Sequence, residues 1–193
     1  MALPLDRREV ILDRAADLFA KQGVAATTVR EIAEAVGILS GSLYHHFASK
    51  DDIVDAIVAA FMDDLVSRYD RVLASGHDAA TQLRGLVEAS IATSAEHPHA
   101  TEIYQTEARY LQAADGPTSV RQHARLIRAA WLKVLEDGAT SGVFRDDVPV
   151  KVIYPLLRDG LWLTARWFVP TKAYGFEELA ADYIKVFLEG IKR

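Results

Sequence analysis

The run TTVREIAEAVGILSGSLYHHFASK, from Thr27 to Lys50, permits few local structures. Thr28 and Glu31, three positions apart, form a capping box, in which the hydroxyl and the carboxylate each accept a backbone N–H of the other residue. Val29, Ile32, Ala33 and Val36 follow at helical spacing. Gly37 supplies a left-handed stop, and Ser40 is placed to cap a second helix. That second helix is expected through Gly41, Ser42, Leu43, Tyr44 and His45 to about Phe47, and it is oddly polar. Only Leu43, Phe47 and part of Tyr44 suit burial, which leaves Ser40, Ser42 and His45 facing out. A helix-turn-helix uses such a face: its second helix enters the DNA major groove, where hydroxyls and an imidazole reach base edges.

The chain of 193 residues, 50% hydrophobic, is long enough to bury a sizeable core. No run approaches the roughly 18 apolar residues of a membrane span, and MALPLDRREV lacks the apolar centre of a signal peptide. The cytoplasm is the expected location. Zero cysteines exclude disulfides, thiolate metal sites and thiol nucleophiles. A net charge of −5 argues against a protein that merely coats nucleic acid, because sequence-independent binding is phosphate neutralisation. Residues 1–50 hold six basic and six acidic side chains, so the acidity lies beyond them.

Helical periodicity runs through the whole chain. Val10, Ile11, Ala15, Leu18 and Phe19 mark a support helix from about Asp6 to Gln22, stopped by Gly23. Ser49 and Asp52 open another capping pattern, followed by a long helix through Ile53, Val54, Ile57, Val58, Phe61, Leu65 and Tyr69 to about Leu73. Ser75 to Asp78 break it. Leu83, Leu86, Val87 and Ile91 define the next helix, closed near His97 to His99; Ile103 to Leu111 define another, closed by Asp115, Gly116 and Pro117. Longer helices are expected at about Thr118 to Thr140, Val150 to Val169 and Phe176 to Ile191. The expectation is an all-α protein of nine helices, with a three-helix DNA-binding head at 1–49 and an effector-binding, dimerising body at 50–193.

A capped N-terminal helix, TTVREIAEAVGILSGSLYHHFASKDDIV, and a wholly helical body together resemble the TetR family of bacterial transcriptional regulators. The marks are Thr27 and Thr28, Ile32 and Ala33, Gly37, Ser40, the LYHHF run and Lys50. The resemblance implies a homodimeric repressor whose heads read a palindromic double-stranded operator and whose body takes a small-molecule effector. It places Thr28, Tyr44 and Lys50 on phosphates and Ser42 and His45 near bases, with Thr27, Arg30, Ser40 and Gly41 completing the face. Packing is the competing role for Tyr44 and His45. GILSGSLYHHFASK, IYQTEARYL, RAAWLKVLEDG and RDGLWLTARWF are further similar to the branch of that family that controls cholesterol catabolism in actinobacteria. That likeness implies an effector that is a coenzyme A thioester of a late steroid-ring intermediate.

The residue chemistry suits such a ligand. Arg158 and Trp162, four apart, share a helix face with Tyr154, and a guanidinium beside an indole can pair with an anion while the ring covers an apolar surface. Tyr104, Trp131 and Arg166 join them as expected effector residues. An ion pair of Arg158 with Asp159 or Glu107, over a core Trp162, is the competing reading. Leu156, Leu163, Leu179, Tyr183, Val186 and Phe187 offer apolar surface for a two-fold four-helix seam, with monomer core as the alternative.

Other chemistry is not expected. His97, His99 and Glu102, and the pair His45 and His46, lack the spacing of a metal site. No Gly-rich phosphate loop, nucleophile elbow or paired-carboxylate motif occurs, so neither an enzyme nor a cofactor is expected. A helical carrier of small molecules, without DNA affinity, is the alternative function.

Overall fold

The computed structural model describes residues 6–107, 111 and 117–191. Among these, nine helices follow one another: α1 (Arg7–Gln22), α2 (Val29–Val36), α3 (Ser40–Leu43), α4 (Lys50–Ala74), α5 (Ala79–Glu96), α6 (Pro98–Thr106), α7 (Thr118–Thr140), α8 (Val150–Trp167) and α9 (Phe176–Ile191). The described residues contain no β-strand, and no helix is long and apolar enough to cross a membrane. The expected continuation of α6 through Ala108, and its close at Asp115 and Gly116, fall outside the described residues.

Two compact units divide the chain, one from the described parts of Met1–Met62 and His97–Arg121, the other from those of Asp63–Glu96 and Gln122–Arg193. In the first, Asp6 caps α1 and Ile11, Ala15 and Phe19 form its buried stripe. α1 packs on α2 and on α6, and Ile32, Ala33, Leu43, Phe47, Ile53, Val54, Val58 and Ile103 close the core. Pro98 in the first turn of α6 shortens the expected break at His97 to His99 to one residue, since a proline lacking its N–H suits that position.

In the second unit α5 packs against α8 and α9. Leu83, Leu86, Val87, Val134, Leu157, Leu161, Ile184 and Leu188 are buried there. A polar chain crosses this apolar core. The Trp131 indole N–H donates to the Tyr69 hydroxyl at 2.9 Å, that hydroxyl lies 2.5 Å from Ser90 Oγ, and Ser90 donates to the Leu86 carbonyl at 2.7 Å. The loop after α7 folds back so that the Phe144 ring covers Gly138, where a Cβ would fall 2.1 Å from a ring carbon. Arg145 then donates from its backbone N–H to the Ile191 carbonyl at 2.7 Å and ties down the end of α9.

Candidate nucleic-acid interface and effector site

The capping box forms as the sequence dictates. Thr28 Oγ accepts the Glu31 N–H at 3.2 Å and donates to the Glu31 carboxylate at 2.7 Å, which also accepts the Thr28 N–H at 2.7 Å. Hydrogen bonds from the Thr28 side chain and backbone hold the Glu31 carboxyl below its ordinary range. Gly37, with φ 72°, ends α2 in the left-handed region. The chain reverses there and α3 begins.

α3 is shorter than expected. It covers Ser40–Leu43 and its N-cap is Leu39, which has no side-chain oxygen to accept a backbone N–H; Ser40 is the first helical residue, not the cap. Tyr44 is the C-cap, so Tyr44 and His45 project from a turn that follows the helix. Gly41, Ser42, Tyr44 and His45 are exposed and Ser40 is half-buried, while Leu43 and Phe47 are buried beneath them. The polar residues of the expected recognition face therefore share one accessible segment, held from below by two apolar anchors. Tyr44 is 54% exposed, which removes packing as its main role.

Three flanking residues sit differently. The Thr27 side chain is buried, donating to the Gly23 carbonyl at 2.8 Å and accepting from the Gln22 side chain at 3.2 Å. Its hydroxyl cannot reach a phosphate, so it holds the turn between α1 and α2 instead. The Lys50 ammonium donates to the carbonyls of Val24 at 2.6 Å and Thr27 at 2.9 Å. Two of its three N–H donors thus lie on backbone, and one is left for an anion. Arg30 is exposed and paired with Glu34 at 2.7 Å along α2.

In the second unit, the Tyr154 ring is buried and faces Trp131 at 6.4 Å. The Arg158 guanidinium lies 5.3 Å from the centre of that ring, and its Nε donates to Asp159 at 2.7 Å. The Asp159 carboxylate pushes the Arg158 guanidinium further above its usual range. The competing ion pair with Asp159 is therefore present, and it leaves the terminal N–H groups of Arg158 uncommitted to that carboxylate. Trp162 is half-buried and Arg166 exposed on the same helix. Trp131 corrects the expectation: it is 1% exposed with its N–H used inside the core, so it backs Tyr154 rather than lining a surface. Tyr104 belongs to the first unit, where its ring lies 6.2 Å from Phe61; the other expected effector residues belong to the second. A cation that periodicity did not flag enters this site: Arg128 of α7 lies 5.5 Å from the centre of the Tyr154 ring. A cleft of about 220 Å³, lined by Val66, Tyr69, Leu73, Leu126 and Lys133 among others, contains none of the expected effector side chains and is below the ~300–1,000 Å³ of typical ligand sites.

The expected seam divides likewise. Leu156, Leu163 and Val186 are exposed on the single chain at 63, 47 and 69%. Tyr183 and Phe187 stack at 4.4 Å and are half-buried, with the Tyr183 hydroxyl donating to the Leu157 carbonyl. Leu179 is 6% exposed and is core of this chain, already covered without a second copy.

Residues 11–57 match the model of bacterial regulatory proteins of the tetR family, and residues 76–191 match the tetracyclin repressor-like C-terminal domain. The chain is 43% identical to the HTH-type transcriptional repressor KstR2 of Rhodococcus jostii strain RHA1 over 96% of this chain and 91% of that one. It is 39% identical to KstR2 of Mycobacterium tuberculosis strain H37Rv, over 97 and 94%. A solved structure of the ketosteroid transcriptional regulator KstR2 of Mycobacterium tuberculosis superimposes with a TM-score of 0.90 at 37% identity, over 99% of this chain and 97% of that one. With a capped helix-turn-helix, an all-helical body and relatives matched from end to end, this chain belongs to the tetR family of bacterial regulatory proteins.

Proposed function

We propose that this protein is a cytoplasmic, homodimeric transcriptional repressor that binds a palindromic double-stranded DNA operator and is released by a small-molecule effector, a coenzyme A thioester of a late steroid-ring intermediate. The end-to-end likeness to KstR2 repressors carries the reading. The exposed segment Ser42, Tyr44 and His45 above buried Leu43 and Phe47 supports the DNA half of it, because small hydroxyls and an imidazole suit base edges in the major groove. Thr28 and Tyr44 then face phosphates, with the remaining Lys50 donor beside them.

The effector half rests on Arg158, Trp162 and Arg166, which combine cations with an aromatic surface on one helix. Leu156, Leu163 and Val186 provide the apolar surface of the two-fold seam. Release follows if the effector favours a conformation in which the two heads no longer fit half-sites one DNA turn apart.

A mobility-shift assay with purified protein and the DNA upstream of its own and neighbouring genes tests the reading at moderate salt. The expected result is a retarded band that non-specific DNA does not compete away, that Tyr44→Ala with Ser42→Ala abolishes, and that a steroid-acid CoA thioester disperses. Absence of sequence-specific retardation would overturn it.

A further inference from the structure

We propose that Arg128 is a second anchor for the anionic end of the effector, and that Arg128 and Arg158 together select a phosphorylated ligand over a simple monocarboxylate. The proposal rests on the reading of the body as an effector site and names the chemistry of that site. The middle turns of α7 are positively charged. From His123 to Lys133 the helix carries His123, Arg125, Arg128 and Lys133 and no acidic residue. Arg128 therefore has only Ala124, Arg125, Trp131 and Leu132 one turn away on either side.

Other cations of this protein are treated differently. Lys21, Arg30, Arg68 and Lys133 each reach a carboxylate four residues away, at 2.8, 2.7, 2.9 and 2.7 Å. Among the described residues Arg128 makes no ion pair. Its guanidinium instead lies over the buried Tyr154 ring, the same ring that Arg158 occupies from α8. Two cations on one ring, with Asp159 offsetting only one of them, leave an excess positive charge.

The donor inventory sets the ligand class. Arg158 commits its Nε to Asp159, and Arg128 keeps its full planar fork of five N–H donors. One fork satisfies both oxygens of a carboxylate. A phosphate ester or diphosphate has more oxygens and more charge, and can engage two forks from two helices at once. Asp159 also repels an anion approaching Arg158, whereas Arg128 pairs with no carboxylate among the described residues, so Arg128 makes the earlier contact.

The test uses the full chain with inorganic diphosphate, coenzyme A and butyrate as probes, followed by titration calorimetry and tryptophan fluorescence. Wild-type protein is expected to bind diphosphate and coenzyme A saturably and butyrate not at all. Arg128→Gln and Arg158→Gln are each expected to weaken the phosphate probes by about tenfold or more, the loss of a charge-assisted hydrogen bond. Arg125→Gln removes the same charge one turn away and is expected to leave them unchanged. Equal weakening by Arg125→Gln would reduce the effect to general surface charge and overturn the proposal, as would absence of saturable binding by the wild type. Should Arg128→Gln fail to fold, Arg128→Lys keeps the charge, loses the fork and is expected to bind several-fold more weakly. If the phosphate probes behave as expected but a steroid-acid CoA thioester does not release DNA, the effector identity falls and the anchor stands. If the thioester releases DNA from Arg128→Gln as readily as from the wild type, the anchor falls alone.

Discussion

Lys50 and Thr27 are joined across the first unit: the ammonium at the start of α4 donates to the Thr27 carbonyl at 2.9 Å, directly before the cap of α2. With the second bond, to Val24, it closes the turn between α1 and α2 onto the first residue of the long helix.

Lys50→Met is expected to destabilise the protein by about 1–3 kcal/mol, because two partly buried carbonyls lose a charged donor. Thermal unfolding checks this in the absence of DNA. A residue whose only role was phosphate contact would leave the unfolding midpoint unchanged and lower operator affinity alone.

Thr28→Ala is expected to cost about 1 kcal/mol through loss of the α2 cap, and Thr28→Ser to restore it. The pH dependence follows from Glu31, whose carboxyl is held below its ordinary range by Thr28. A depressed folded value means that the carboxylate stabilises the protein above the ordinary glutamate range, and that this contribution is lost as the pH falls through the folded value. Acid unfolding of Thr28→Ala, followed by circular dichroism, is expected to lack that part of the slope.

Tyr69→Phe is expected to lower stability by about 1–3 kcal/mol, since it strands the Trp131 N–H in an apolar core. Urea unfolding measures it, with an unchanged slope if the fold is retained. Burial raises the Tyr69 hydroxyl above the ordinary tyrosine range. The folded state then keeps a proton that the unfolded chain loses, so its stabilisation is full below the ordinary tyrosine range and declines as the pH rises toward the folded value. Tyr69→Phe is expected to show a shallower alkaline decline.

Leu163→Glu with Val186→Glu is expected to yield a folded monomer, because both side chains are already exposed on the single chain. Light scattering after size exclusion gives the mass, and circular dichroism the fold. A protein that remains dimeric would move the seam away from α8 and α9.

Most helices, and the starts of α1, α2 and α4 among them, were legible because they rest on short-range chemistry. Thr28 with Glu31, and Gly37 after Val36, fix α2 within a few residues of chain, and the periodic stripe of Ile53, Val54, Val58, Phe61 and Leu65 fixes α4. Neither boundary of α3 was legible: the N-cap fell on Leu39 and not on Ser40, and Tyr44 and His45 fit either a helix or a turn. Contacts between distant residues left no local mark. Trp131 meets Tyr69 across 62 positions, and an indole on an apolar stripe looks the same whether it lines a ligand or backs a ring. Leu179 shows the same limit, since its place on an apolar face does not say whether its own chain or a second copy covers it. Arg128 did leave a signal in the acid-free stretch of α7, but the ring it meets lies on another helix.

The polar chain from Trp131 through Tyr69 to Ser90 also determines how α4 can respond to a ligand. Sliding by a single residue would shift Tyr69 by about 1.5 Å along the axis, enough to break bonds of 2.9 and 2.5 Å to two other helices at once. Tilting about Tyr69 breaks neither. The hydroxyl thus acts as a fulcrum for the part of α4 that belongs to the second unit, residues 63–74, which can tilt there more readily than it can slide.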